Sequence, residues 1–177
     1  MARLRKFVAY RRLERPYTRV SKFRSKSFVK SRPHIKVTRF DMGNLKGDFG
    51  YEVSLISKQP LQIRQESLES ARQAANRILE KKLGLGNYHF KIRKYPHHVL
   101  RENPLASGAG ADRLSKGMKL SFGKVIGIAA QLEKGDKLMS VWVNKQGLDW
   151  AKKALRRAYT KLPLSYYIVE EKVQEKA

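Results

Sequence analysis

The chain has 177 residues and no cysteine, so disulfides, thiolate zinc sites and a cysteine nucleophile are excluded. Its length fits one domain with an extension, and a hydrophobic share of 41% supports a packed core rather than a disordered basic tail. Lys and Arg number 39 against 15 Asp and Glu, and a net charge of +24 repels itself unless a polyanion neutralises it.

Residues 1–33 read as a basic arm, and residues 1–40 hold fourteen Lys and Arg against one acid, Glu14. The cations are Arg3, Arg5, Lys6, Arg11, Arg12, Arg15, Arg19, Lys22, Arg24, Lys26, Lys30 and Arg32. Phe7, Tyr10, Tyr17, Phe23 and Phe28 are interleaved with them, and Pro16 and Pro33 break any regular pattern. Cations that meet phosphates, beside flat rings that stack on bases, suit RNA. The arm has no apolar core after its charges, so it does not read as a secretory signal. No apolar run approaches the roughly 20 residues that span a bilayer, and no membrane partner is expected.

The body is expected over residues 34–169, with a polar tail at 170–177. Alternation predicts strands at 34–40, 49–56 and 60–64, with a turn at 41–44. Residues 67–83 predict a helix with Leu68, Ala71, Ala75, Ile78 and Leu79 inward, Ser67 as its N-cap and Gly84 as its stop. Residues 87–95 alternate again, and 97–101 read as extended. Arg93, Lys94, His97, His98 and Arg101 there form a second basic patch. Residues 125–132 and 137–143 read as a strand pair joined by a tight turn. A second helix is predicted over 148–162, with Leu148, Ala151, Leu155 and Ala158 inward. Lys152, Lys153, Arg156, Arg157 and Lys161 lie on its outer side. Like charges four apart at Lys153, Arg157 and Lys161 weaken an isolated helix, so a docked phosphate backbone accounts for them better than solvent does. A last strand is expected at 165–169. The predicted class is α+β: a largely antiparallel sheet with two helices packed on it, a basic N-terminal extension and a long internal loop.

That loop, residues 102–122, is too long to be a simple connection. Ser107, Gly108, Gly110 and Ala111 are small enough for close backbone approach. Asp112, Arg113, Lys116, Gly117, Met118 and Lys119 follow, and Lys124 stands at the exit. A dinucleotide fingerprint fails for want of a third glycine. A P-loop fails on spacing and because Val125 stands where Ser or Thr should hold magnesium. Asp112 has no second carboxylate or Ser–His pair near it in sequence, so no catalytic residue is assigned. His97 and His98 lack an acidic ligand nearby, so no metal is expected, and no cofactor either. An RNA-modifying enzyme with a basic platform is the alternative, but it needs an acid, base or cofactor cluster that is not visible. A DNA-compacting protein would not need the loop.

Several stretches, in this order, resemble one family. They are RPYTR at 15–19, FDMGN at 40–44, QIRQ at 62–65 leading into LESAR at 68–72, and NYHFKIR at 87–93. PHHVLREN at 96–103, GADR at 110–113, GM at 117–118, FGK at 122–124, and ALRRA at 154–158 before Pro163 complete the set. The chain resembles the universal large-subunit ribosomal protein L-sixteen family, in its archaeal and eukaryotic "ten-e" branch, and the absent cysteines lean towards archaea. The resemblance implies two helices against a sheet and a non-catalytic role in the cytoplasm on the large ribosomal subunit. It implies binding to large-subunit ribosomal RNA between the central protuberance and the stalk base, beside neighbouring ribosomal proteins. It also implies that the long loop points towards the peptidyl-transferase region and transfer RNA.

Overall fold

A computed structural model describes residues 4–11, 13–18, 21–27, 29, 33–103 and 123–173. Its elements run β1 (Asp41–Gly43), β2 (Tyr51–Ser57), β3 (Leu61–Arg64), α1 (Gln65–Leu83), β4 (Tyr88–Ile92), β5 (His98–Glu102), β6 (Lys124–Leu132), β7 (Lys137–Val143), α2 (Leu148–Tyr159) and β8 (Tyr166–Lys172). Two antiparallel sheets result: five strands in the order β1-β4-β7-β2-β8, and three in the order β3-β6-β5. The α+β class and both helices are as expected.

Alternation builds the main core. Tyr88, Phe90 and Ile92 of β4 are buried, facing Val143, Val141 and Met139 of β7 across the ladder. Leu68, Ala71, Ala75 and Leu79 of α1, with Ala151, Ala154, Leu155 and Ala158 of α2, close the same core. Four further apolar side chains, Leu61, Ile63, Ala130 and Leu132, join it from the three-stranded sheet.

Four expectations need correction. Residues 34–40 alternate as predicted, with Val37 buried, yet they form no strand. Side chains of α1 take their backbone donors instead: the Lys36 N–H donates to Gln65 Oε1 (2.9 Å) and the Thr38 N–H to Glu69 Oε2 (3.4 Å). The ladder starts where a turn was expected, at β1. Gly43 there has φ +85°, and a Cβ would collide with the Tyr88 carbonyl oxygen. Second, Ser67 is not the N-cap. Strand β3 runs straight into α1, with Arg64 in the cap position and no side-chain capping bond. Third, β6 and β7 do not pair. The turn between them is tight, with the Glu133 N–H donating to Asp136 Oδ2 at 2.8 Å, but it carries the chain from one sheet to the other. Its residues instead bond the end of β2: the Ser57 N–H donates to the Asp136 carbonyl and the Gly135 N–H to the Ser57 carbonyl. Fourth, β8 runs on to Lys172, three residues into the expected tail. The ion pair Lys137–Glu171 ties it to β7, and Lys152–Glu170 ties it to α2.

Much of the arm's described part lies on the three-stranded sheet. Tyr10 packs with Leu100 and Ala129, and Val29 with Val99 and Ile128. The Gln62 side-chain amide donates to the Tyr10 carbonyl (2.5 Å), and that of Gln131 to the Glu14 carbonyl (3.0 Å). A sheet with one face towards α1 and another apolar surface left over needs such a cover.

Candidate nucleic-acid interface

Arm packing sorts the cations. Lys6, Arg11, Arg15, Lys22 and Lys26 are exposed and make no ion pair with another described residue, although Lys26 lies over the Phe23 ring. Arg5 is paired with Glu102, at the root of the long loop. Arg3, Arg12, Arg19, Lys30 and Arg32 lie outside the described residues, as does the side chain of Arg24. Tyr17 is half-buried. Its ring lies 3.5 Å from the Arg101 guanidinium carbon, and its backbone is clamped to β5.

The second basic patch does not survive as a free surface. His98 is buried, and its Nδ1 accepts the Tyr17 N–H at 2.8 Å. Burial, followed by the positive charge of Arg101, pushes the ring below the usual histidine range, against a smaller opposing pull from Glu14. It is therefore a neutral clip between arm and sheet. Lys94 is paired with Asp136 at 2.7 Å. Arg93 is paired with Glu52 at 2.7 Å and lies over Trp142, whose other neighbour is the stacked His89 ring. Only His97 of the five is exposed without an ion partner among the described residues, and it packs on Tyr95. The acids that neutralise this patch come from β2 and the β6–β7 turn, far away in sequence.

Glu52 is the hub of that neutralisation. Burial pushes its carboxyl up, but hydrogen bonds from Ser54, Ser140 and Lys137 and the charge of Arg93 outweigh it and hold it at about 2. Across this sheet face the acids and bases balance.

On the helical face they do not. Lys153 turns to the Trp150 ring, which Lys82 of α1 also covers, and Lys152 pairs with Glu170. Arg156, Arg157 and Lys161 remain exposed with no ion pair among the described residues. Arg157 and Lys161 share a groove of about 460 Å³ with Ser70, Gln73, Ala74 and Arg77 of α1. The expected ridge is thus split: its first member packs on an aromatic ring and its last two join a groove. Arg77 escapes the sequence reading, which takes from α1 its apolar stripe and its end signals. The four-residue step to Lys81 was the available signal.

Strands β5 and β6 pair up to Glu102 and Lys124, with a register shift between Leu100 and Arg101, so the two ends of the long loop stand side by side. At the exit Gly123 has φ +141°, and a Cβ would press on the Glu102 backbone. Ser107, Gly108, Gly110, Ala111, Asp112, Arg113, Lys116, Gly117, Met118 and Lys119 lie outside the described residues. No helix among the described residues is long and apolar enough to cross a membrane. Among them, too, no group of three His, Asp or Glu residues is placed to hold a metal.

A basic α+β body with a packed cationic arm, a balanced sheet face and an unbalanced helical face is the class of protein that suits a polyanionic partner. Comparison with known proteins narrows this. The chain belongs to the family described as ribosomal protein L16p/L10e, whose model matches residues 14–169. Similar proteins include the large ribosomal subunit protein uL16 of Archaeoglobus fulgidus, 46% identical over 94% of this chain and 92% of its own length. The protein of the same name from Methanoculleus marisnigri is 48% identical over 92% and 93%. That from Methanocella arvoryzae is 49% identical over 81% and 83%. The family is structural rather than enzymatic.

Proposed function

We propose that this chain is a structural constituent of the large ribosomal subunit in the cytoplasm, held there by ribosomal RNA and neighbouring ribosomal proteins. The observation that carries this reading is its similarity, over most of its length, to archaeal proteins named large ribosomal subunit protein uL16. The arm cations Lys6, Arg11, Arg15, Lys22 and Lys26, with Lys124, Arg156, Arg157 and Lys161, contact backbone phosphates and fix the orientation of the protein on RNA. The undescribed arm cations Arg3, Arg12, Arg19, Arg24, Lys30 and Arg32 act with them. Arg93, Lys94 and Arg101 serve first as internal braces, and His97 is the outward member of their patch. The loop of residues 102–122 reaches towards the peptidyl-transferase region and transfer RNA from the β5–β6 stem. The body begins near residue 34, but the arm is laid on it rather than hung from it.

The test is cosedimentation with large subunits over a salt series. The protein should stay with the subunit at low salt and leave at high salt. Its affinity for deproteinised large-subunit RNA should fall by about 0.7–0.9 log units per phosphate contact per tenfold rise in salt. A flat titration refutes phosphate-driven binding.

A further inference from the structure

The trough between α1 and α2 has features that helix stability does not explain. The two helices meet through small side chains: Ala71 and Ala75 on α1, and Ala151, Ala154 and Ala158 on α2, are all fully buried. Small residues bring helix axes close together. Ser70 and Ala74 continue the small surface outward along α1, leaving the open groove of about 460 Å³. Three cations line it, Arg77, Arg157 and Lys161, and no acid does.

Several cations elsewhere are joined to acids: Arg72 with Glu69, Arg93 with Glu52, Lys94 with Asp136 and Lys152 with Glu170. Glu80 lies with Arg77 along the neighbouring groove but makes no ion pair with it. The trough cations make no ion pair with any described residue. Basic residues in the last turn of a helix complement its dipole, and that accounts for Arg157. It does not account for Arg77, which sits in the middle of α1 and gains nothing from that helix's ends. Three like charges around one concavity repel each other, and an anion in the trough removes the repulsion. A single small anion would leave most of the roughly 460 Å³ empty, whereas a chain of phosphates can fill it. The walls also carry the hydroxyl of Ser70 and the amide of Gln73. One amide hydrogen of Gln73 is used on Glu69 Oε1 at 2.9 Å, and its carbonyl oxygen makes no described hydrogen bond. That oxygen and the serine hydroxyl suit ribose 2′-hydroxyls, which DNA lacks.

We infer that the trough between α1 and α2 seats an RNA sugar–phosphate strand, with Arg77 and Arg157 on phosphates, Lys161 beside them, and Ser70 and Gln73 on ribose. This rests on the RNA-binding reading above and extends its helical contacts at Arg157 and Lys161 across to the α1 wall, at Arg77, Ser70 and Gln73. The contacts position RNA without reading its sequence.

The test uses the full-length protein, deproteinised archaeal large-subunit RNA as the probe, and filter binding at several KCl concentrations. Arg77→Gln should weaken binding several-fold at low salt and reduce the log–log salt slope by about 0.7–1, one phosphate contact. Arg77→Lys should restore the slope, because the charge returns. Arg77 is exposed, so both variants should melt with the wild type, and circular dichroism checks this. Steep wild-type binding with unchanged slopes in Arg77→Gln and Arg157→Gln overturns the trough while leaving the RNA-binding reading intact. Failure of the wild type to bind this RNA overturns both. Retained RNA binding together with loss of binding to a poly-glutamate probe overturns the trough as an RNA seat and makes it a seat for an acidic protein segment.

Discussion

Replacing Glu52 by glutamine keeps its shape and removes its charge. The carboxylate, 13% exposed, accepts hydrogen bonds from Arg93 (2.7 Å), Ser54 (2.7 Å), Ser140 (2.9 Å) and Lys137 (3.2 Å). Burial opposes the charge and these bonds favour it, leaving the carboxyl lowered from 4.5 to about 2. Each pK unit corresponds to about 1.4 kcal/mol, so the full shift sets an upper bound of about 3.5 kcal/mol, and solvent screening of this partly exposed network leaves about 2–3 kcal/mol at neutral pH. Because the folded value lies below the unfolded one, the contribution is complete above pH 4.5 and fades as pH falls towards 2. Urea denaturation followed by tryptophan fluorescence is the assay, with Trp142 as a local reporter beside Arg93. Urea is uncharged and does not screen the network. E52Q should be less stable than wild type by about 2 kcal/mol at pH 7, and the gap should narrow steadily below pH 4. A gap absent at pH 7, or constant down to pH 2.5, would refute the assignment of Glu52 as the charged hub of this sheet face.

Three further outcomes follow from the structure. Gly43→Ala places a Cβ against the Tyr88 carbonyl oxygen at φ +85° and should cost about 2 kcal/mol or more, read as a fall in Tm. His98→Leu removes the acceptor of the Tyr17 N–H and should cost about 1–3 kcal/mol. In the wild type that clip should hold above pH 6.5 and weaken as pH falls, because the folded histidine is held below its ordinary value; limited proteolysis of the arm across this range should show cleavage rising towards acid pH. Replacing residues 104–121 by a short glycine-rich linker should leave the melting transition in place, since the β5–β6 ladder holds both ends, while translation by reconstituted subunits falls. Loss of folding in that variant would show that loop and body are not separable.

The helices and most strands were legible because their apolar periods are clean: Leu68, Ala71, Ala75 and Leu79 on α1, and Tyr88, Phe90 and Ile92 on β4. Pairing was not. Residues 125–132 and 137–143 look like a hairpin because a Gly-containing turn joins two apolar runs, yet β7 is taken by β2 and β4, whose alternation matches its own. Local sequence records which face of a strand is apolar, not which neighbour competes best for its edge. The same limit applies to the interface. Charge at Arg93 and Lys94 was visible, but Glu52 and Asp136, which neutralise them, become neighbours only through the sheet. The reading of residues 34–40 as a strand failed for a related reason. Its alternation is real, but Gln65 and Glu69 outcompete any strand for its amides.

Strand β2 has no ladder partner earlier than β7, some 80 residues downstream, and its other neighbour is β8 near the end of the chain. A chain emerging amino end first therefore holds β2 unmatched until residues 137–143 have been made. Long-separated pairing is slow to nucleate and leaves apolar edges uncovered meanwhile. The nascent polypeptide thus passes through a stage that is strongly cationic yet lacks its finished central sheet, and it would adhere to any anionic polymer nearby.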